Sequence, residues 1–279
     1  MGTSASSNGP NGGVSFDPPW LDDIEIPGSS MPLDSPNENA LNLPDEHIEP
    51  SKDSIAPPRR FSNARRALSD YARSGDSDSL RKALGHYSRT GMGGARNVAN
   101  RMRTSTKSAS ALFGVLRSAR EGTDPEIKEW VSALTSRNAS ASEIADEIIS
   151  MVTPLGGSID EISCKESMAQ ALDNLIAKNP QIDLLNLSDN NIWNLIESFL
   201  SYEAFKRLCL DIGQSFEKSS LTPTVKVSRM NEMHRYLEAE IYVQVEKLRE
   251  NNKNATSNQL NDILQDALSN TFYVYEGAL

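Results

Sequence analysis

The chain has 279 residues, with 28 Lys+Arg against 38 Asp+Glu for a net charge of -10, and only two cysteines. Hydrophobic residues make up 38% and aromatics 6%, below the roughly 45–50% apolar share of an ordinary globular chain. This composition excludes a disulfide scaffold and a collagen-like repeat, and no run of about 18 apolar residues marks a transmembrane helix.

The deficit is concentrated at one end. Residues 1–58 hold ten of the 14 prolines and ten acidic residues against the single base Lys52, a net charge of -9; residues 59–120 carry +11 and residues 121–279 carry -12. Three blocks of alternating sign therefore predict a tail (1–58), an Arg-rich helical subdomain (59–121) and an acidic helical bundle (122–279). In the tail, Pro recurs among Gly, Ser, Asn and Asp. Such a stretch buries too little apolar surface to offset about 1–2 kcal/mol of backbone entropy per residue, so disorder is expected. Phe16, Trp20, Leu21, Ile24 and Ile26, flanked by Asp17, Asp22, Asp23 and Glu25, form an apolar cluster held soluble by acid. It reads either as a docking motif or as a segment that packs on its own domain. The start, MGTSASSNGPNGG, lacks the basic and apolar regions of a secretory signal, and with two reduced thiols the expectation is a cytoplasmic protein.

From Phe61 the helical period takes over. Phe61, Ala64, Leu68 and Tyr71 predict one helix, and Leu80, Ala83, Leu84 and Tyr87 a second, divided by Gly75 and Asp76-Ser77-Asp78. After Gly91-Met92-Gly93-Gly94 a longer pattern runs from Val98 to Leu116, with a break expected at the Ser/Thr residues between 104 and 110. Asp124-Pro125-Glu126 combines an N-cap, a first-turn proline and an acid at the positive helix end, opening a helix with Ile127, Trp130, Val131 and Leu134 inward. Ser140 with Glu143 and Ser158 with Glu161 are capping boxes for two more helices, split at Pro154–Gly157. Ile192–Leu200, Phe205–Phe216, Val227–Glu250 and Leu260–Leu268 complete the set. No convincing alternating strand is present, so the expected fold is all-α.

Chemistry-bearing patterns are few. Ser88–Arg96, with Gly91, Gly93 and Gly94 between Arg89 and Arg96, lies ahead of a helix start, where backbone N–H groups can hold an anion; no preceding strand, Walker lysine or acidic partner supports nucleotide hydrolysis, and a flexible interhelical turn is the plainer reading. Arg89, Arg96, Arg101 and Arg103, within the wider basic block, suit either nucleic-acid phosphates or carboxylates of a protein or of this chain itself. His47, His86 and His234 have no ligand spacing, Cys164 and Cys209 lie on apolar helical patterns, and no nucleophile with its base is legible; no metal, cofactor or catalytic set is expected. At the other end, removal of Met1 would expose the Gly2 α-amine, whose pKa near 8 makes it a usable nucleophile. Thr3, Ser4, Ser6, Gly9, Gly12 and Gly13 behind it are small enough to thread into a cleft. Met1-Gly2 with Ser6 also fits the short N-myristoylation pattern.

MGTSASSNGPNGG with Pro18-Pro19-Trp20, then Tyr87-Ser88-Arg89-Thr90-Gly91 and Gly93-Gly94-Ala95-Arg96, resembles the QatB family of the bacterial Qat anti-phage system. The likeness is firmest in about the first 20 residues and in 86–103. It implies a cytoplasmic, non-enzymatic defence component whose companions are an ATPase, a QueC-like enzyme (QatC-type) and a TatD-like nuclease. It further implies that the QueC-like enzyme joins a deazaguanine to Gly2, with residues 2–13 and Trp20 as the recognition tail. A nucleic-acid-binding adaptor acting through the Arg-rich helices is the alternative.

Overall fold

In the computed structural model, residues 59–154, 156–217, 219–251 and 257–279 are described. The expectations of disorder and of a docking motif in residues 1–58 lie outside them. Among the described residues there are helices and no strand: the fold is all-α.

The first elements follow their punctuation. α1 (Ser62–Ser74) buries Ala64, Leu68, Tyr71 and Ala72, one face of a 3.6-residue period. It stops at Gly75, whose φ of 71° is left-handed and whose N–H donates to the Tyr71 carbonyl at 2.7 Å. Asp76 then caps α2 (Ser77–His86), accepting from the Ser79 N–H at 2.9 Å. A short π-helical turn, Tyr87–Gly91, leads through Gly93 and Gly94, both at positive φ, into α3 (Ala95–Arg101).

The expected break among the serines and threonines does not occur. α4 (Arg103–Glu121) runs through them, and the chain kinks earlier, at buried Met102. Ser105, Thr106, Ser108 and Ser110 face inward, and Thr106 Oγ1 donates to Asn261 at 2.9 Å and accepts from Gln265 at 2.7 Å. Buried hydroxyls with partners do not compete with the helix.

Asp124 caps α5 (Pro125–Ser136), of whose expected inner face only Leu134 is fully buried; Ile127, Trp130 and Val131 are half-buried. Both capping boxes form, opening α6 (Ala141–Val152) and α7 (Ile159–Lys178). The two helices expected between Ile192 and Phe216 are instead one long helix, α8 (Asp189–Ile212), followed by the single turn α9 (Gln214–Glu217). No Gly or Pro interrupts residues 200–205, and the charge of Glu203 is neutralised by Arg207 one turn on. α10 (Pro223–Asn251) and α11 (Ser257–Glu276) close the chain.

Phe61–Leu279 form one unit. α11 packs on α2, α3, α4 and α10, while α8 packs on α4, α7 and α10. The Arg-rich and acidic helices thus share one core, with Met233, Leu237, Ile241 and Val245 of α10 completely buried in it.

Candidate functional site

The interior of this bundle is charged where the two sequence blocks meet. Tyr87, from the π turn, donates its hydroxyl to Asp211 of α8 at 2.9 Å, and Arg101 of α3 reaches the same carboxylate oxygen at 2.5 Å. Burial and the Asp211 charge both push the Tyr87 phenol well above its ordinary value, so it stays protonated and can donate to Asp211. Ser88 donates to Glu276 of α11 at 2.6 Å, and Arg120 bridges to Asp189 at 2.8 Å.

A second cluster is more deeply enclosed. Glu203 is fully buried, accepting from Ser163 and Ser167 at 3.0 Å each and from Arg207 Nε at 2.7 Å. Arg207, also buried, turns its other face to Asp160. Cys164 sits beside this group and donates to Ser108 at 3.5 Å, its thiol pushed up by burial; Cys209, half-buried, is pushed up to about 12 for the same reason. Neither sulfur is a nucleophile at neutral pH. A buried ion pair of this kind is costly to break and contributes little over an apolar pair, so its role is positioning α7 against α8.

The third feature is Glu197. It lies on α8, only 4% exposed, with Oε1 lacking a hydrogen-bond partner, along a cleft of about 500 Å³ between α7, α8 and α10 that is also lined by Asn174, Asn194, Arg235, Glu238 and Tyr242. Burial first, then the Glu246 charge, lifts its carboxyl to about 8, so it is largely protonated at neutral pH. Glu246 itself is held by Arg249 at 2.8 Å, and Arg249 stacks over Trp193 at 5.5 Å. Neither Glu197 nor the Glu203–Arg207 pair was singled out from the sequence. The available signal was a charged residue inside a helix apolar on every side, as in Leu195-Ile196-Glu197-Ser198-Phe199-Leu200.

The residues expected to hold an anion are divided. Arg101 is spent on Asp211. The glycine turn closes on itself: the Met92 and Gly94 N–H groups donate to the carbonyls of Tyr87 and Ser88, both at 2.9 Å, and Asn97 Nδ2 fills the carbonyls of Met92 and Gly93. Gly91 is buried with Phe61 against it. Two of the N–H groups that would have lined an anion cradle are therefore occupied. Arg89, Arg96 and Arg103 remain exposed and form no ion pair among the described residues.

Residues 93–275 match the family model described as Qat anti-phage system associated protein QatB. The chain belongs to the QatB family. As a QatB-family protein it is a component of the Qat anti-phage system, and other components of that system are its partners. No curated protein and no solved structure matches it. The QatB match takes in α3 to α11 up to Tyr275, and with them Gly93, Gly94, Arg96, Arg101 and Arg103. Gly2, Thr3, Ser4, Ser6, Gly9, Gly12, Gly13 and Trp20 lie outside both the match and the described residues. Among the described residues no helix is long and apolar enough to cross a membrane.

Proposed function

We propose that this QatB-family chain is a non-enzymatic defence component that binds a QueC-like enzyme and presents Gly2 for covalent modification with a deazaguanine. The observation that carries the reading is the Met1-Gly2-Thr3-Ser4-Ala5-Ser6-Ser7 start on a chain of this family. The chemistry is amide formation. The neutral Gly2 amine, available in useful fraction near its pKa of about 8, attacks the acyl carbon of a carboxylate that the partner has activated with ATP. A C–N bond forms, the bond from the acyl carbon to the AMP oxygen breaks, and the amine proton passes to solvent. The bundle supports this reading by supplying a self-contained body, with its Glu203 carboxylate and Cys164 thiol committed to internal contacts.

Intact-mass analysis of the protein purified with its operon partners tests the proposal. The expected result is loss of Met1 and an added mass that fragmentation places on Gly2. Gly2→Leu, which retains Met1 and so leaves no N-terminal glycine amine, abolishes both the added mass and phage protection while leaving the helical circular dichroism unchanged. An unmodified Gly2, or full protection by Gly2→Leu, overturns it.

A further inference from the structure

We infer that the outer ridge of α3 and α4 is a binding surface for the phosphate backbone of duplex nucleic acid, carried by Arg96, Arg103 and Lys107 with Arg89 alongside. This inference is independent of the Gly2 reading.

The ridge is built by the burial pattern. Ala95, Val98, Ala99, Met102 and Thr106 face inward, where α11 packs on both helices, so Arg96, Asn100, Arg103 and Lys107 are exposed along the opposite side. Arg96 and Asn100 lie on α3 and Arg103 and Lys107 on the first turns of α4, so the exposed basic side chains stand on both sides of the kink at Met102. Arg89 is exposed on the π turn that packs against α3.

The charge on this ridge is uncompensated. No acidic residue occurs between Asp78 and Glu121. On the elements packed against it, Asp211 is held by Arg101 and Tyr87, Glu276 accepts from Ser88, and Asp262 and Asp266 of α11 make no ion pair with the ridge. Of the other arginines, Arg73, Arg117, Arg120, Arg137, Arg207, Arg229 and Arg249 each hold a carboxylate, while Arg65, Arg66, Arg81 and Arg235 form no ion pair among the described residues. Arg89, Arg96 and Arg103 hold none.

The partner's class follows from what the ridge lacks. Every exposed large hydrophobic side chain among the described residues lies at Met151 or beyond, so the basic segment offers charge without an apolar centre. A protein interface requires a desolvated apolar core, whereas a nucleic-acid backbone is held by cations and neutral donors alone. Asn100 and Thr104 supply such donors beside the arginines.

The test is fluorescence anisotropy of the full-length chain with a labelled 20-base-pair duplex DNA from 25 to 200 mM NaCl. The expected result is binding that weakens with salt, with a log–log slope near -3 for three phosphate contacts. The triple variant Arg96→Gln/Arg103→Gln/Lys107→Gln should bring that slope towards zero and weaken binding equally for two unrelated sequences, with its thermal melt unchanged. Arg137→Gln and Gly2→Leu should bind as the original does. Absence of binding at 25 mM NaCl, or a triple variant that binds like the original, overturns the inference.

Discussion

At the scale of single residues, two acids, Glu197 and Glu203, stand inside an otherwise apolar core. Glu203 is tolerated because three donors satisfy it. Glu197 is tolerated by keeping its proton. In the unfolded chain a Glu titrates near 4.5, whereas in the fold Glu197 titrates at about 8. Between those values the native state holds a proton that the unfolded state has released. Its contribution to stability is therefore present below pH 4.5 and is lost as pH rises to about 8. Glu197→Gln preserves the neutral shape and removes the titration. We expect it to stabilise the protein progressively from pH 5 to pH 8, by on the order of 2 kcal/mol at the upper end. Urea unfolding at pH 5, 6.5 and 8, each against the parent, measures this. His234, lowered by burial between Tyr202 and Phe205, destabilises the fold on the acid side instead; it is common to both proteins and cancels. A difference that does not change with pH contradicts this account of Glu197.

At the scale of elements, close approach is set by small residues. Gly85 on α2 has the Tyr275 carbonyl oxygen 2.5 Å from where a Cβ would stand. That oxygen belongs to the backbone of α11 and cannot rotate away. Gly85→Ala gains about 1 kcal/mol of helix propensity but forces α2 from α11 at an overpacking cost of about 1–3 kcal/mol, so net destabilisation near 1 kcal/mol is expected in denaturant unfolding. Gly157→Ala, with open space at its Cβ, serves as the neutral comparison. If Gly85→Ala matches the parent, the two helices are not held at contact distance there.

The same scale explains how much could be read from sequence. Caps were legible because their chemistry is local: Asp124, Ser140 and Ser158 each cap the helix their side chains announced. The course of α4 and the continuity of α8 were not legible, because they depend on distant partners. Thr106 is satisfied by Asn261 and Gln265, more than 150 residues away, and the sequence offers no view of that contact. The basic block divided for the same reason. Arg101 and Arg103 are two residues apart, and only the fold shows that one is committed to Asp211 and the other faces outward.

For the whole molecule, the net charge of -10 conceals a division of labour. Arg65, Arg101 and Arg120 tie the basic helices to α8 and its approach, through the Asp211 carbonyl, the Asp211 carboxylate and Asp189 respectively. These contacts, and the core shared by α4, α8 and α11, are contained within Phe61–Leu279. A chain of that length buries enough surface to fold by itself. A version beginning at Arg59 should therefore retain the helical circular dichroism and a single cooperative urea transition, with a stability within about 1 kcal/mol of the full chain. It should also bind duplex DNA more tightly at low salt, since removing residues 1–58 removes a net charge of -9 that opposes approach of a polyanion. It should take no added mass when produced with its operon partners, because Gly2 is gone. Loss of the cooperative transition would show that the bundle depends on the segment before Arg59, while a truncated chain still modified at its new terminus would move the acceptor away from Gly2.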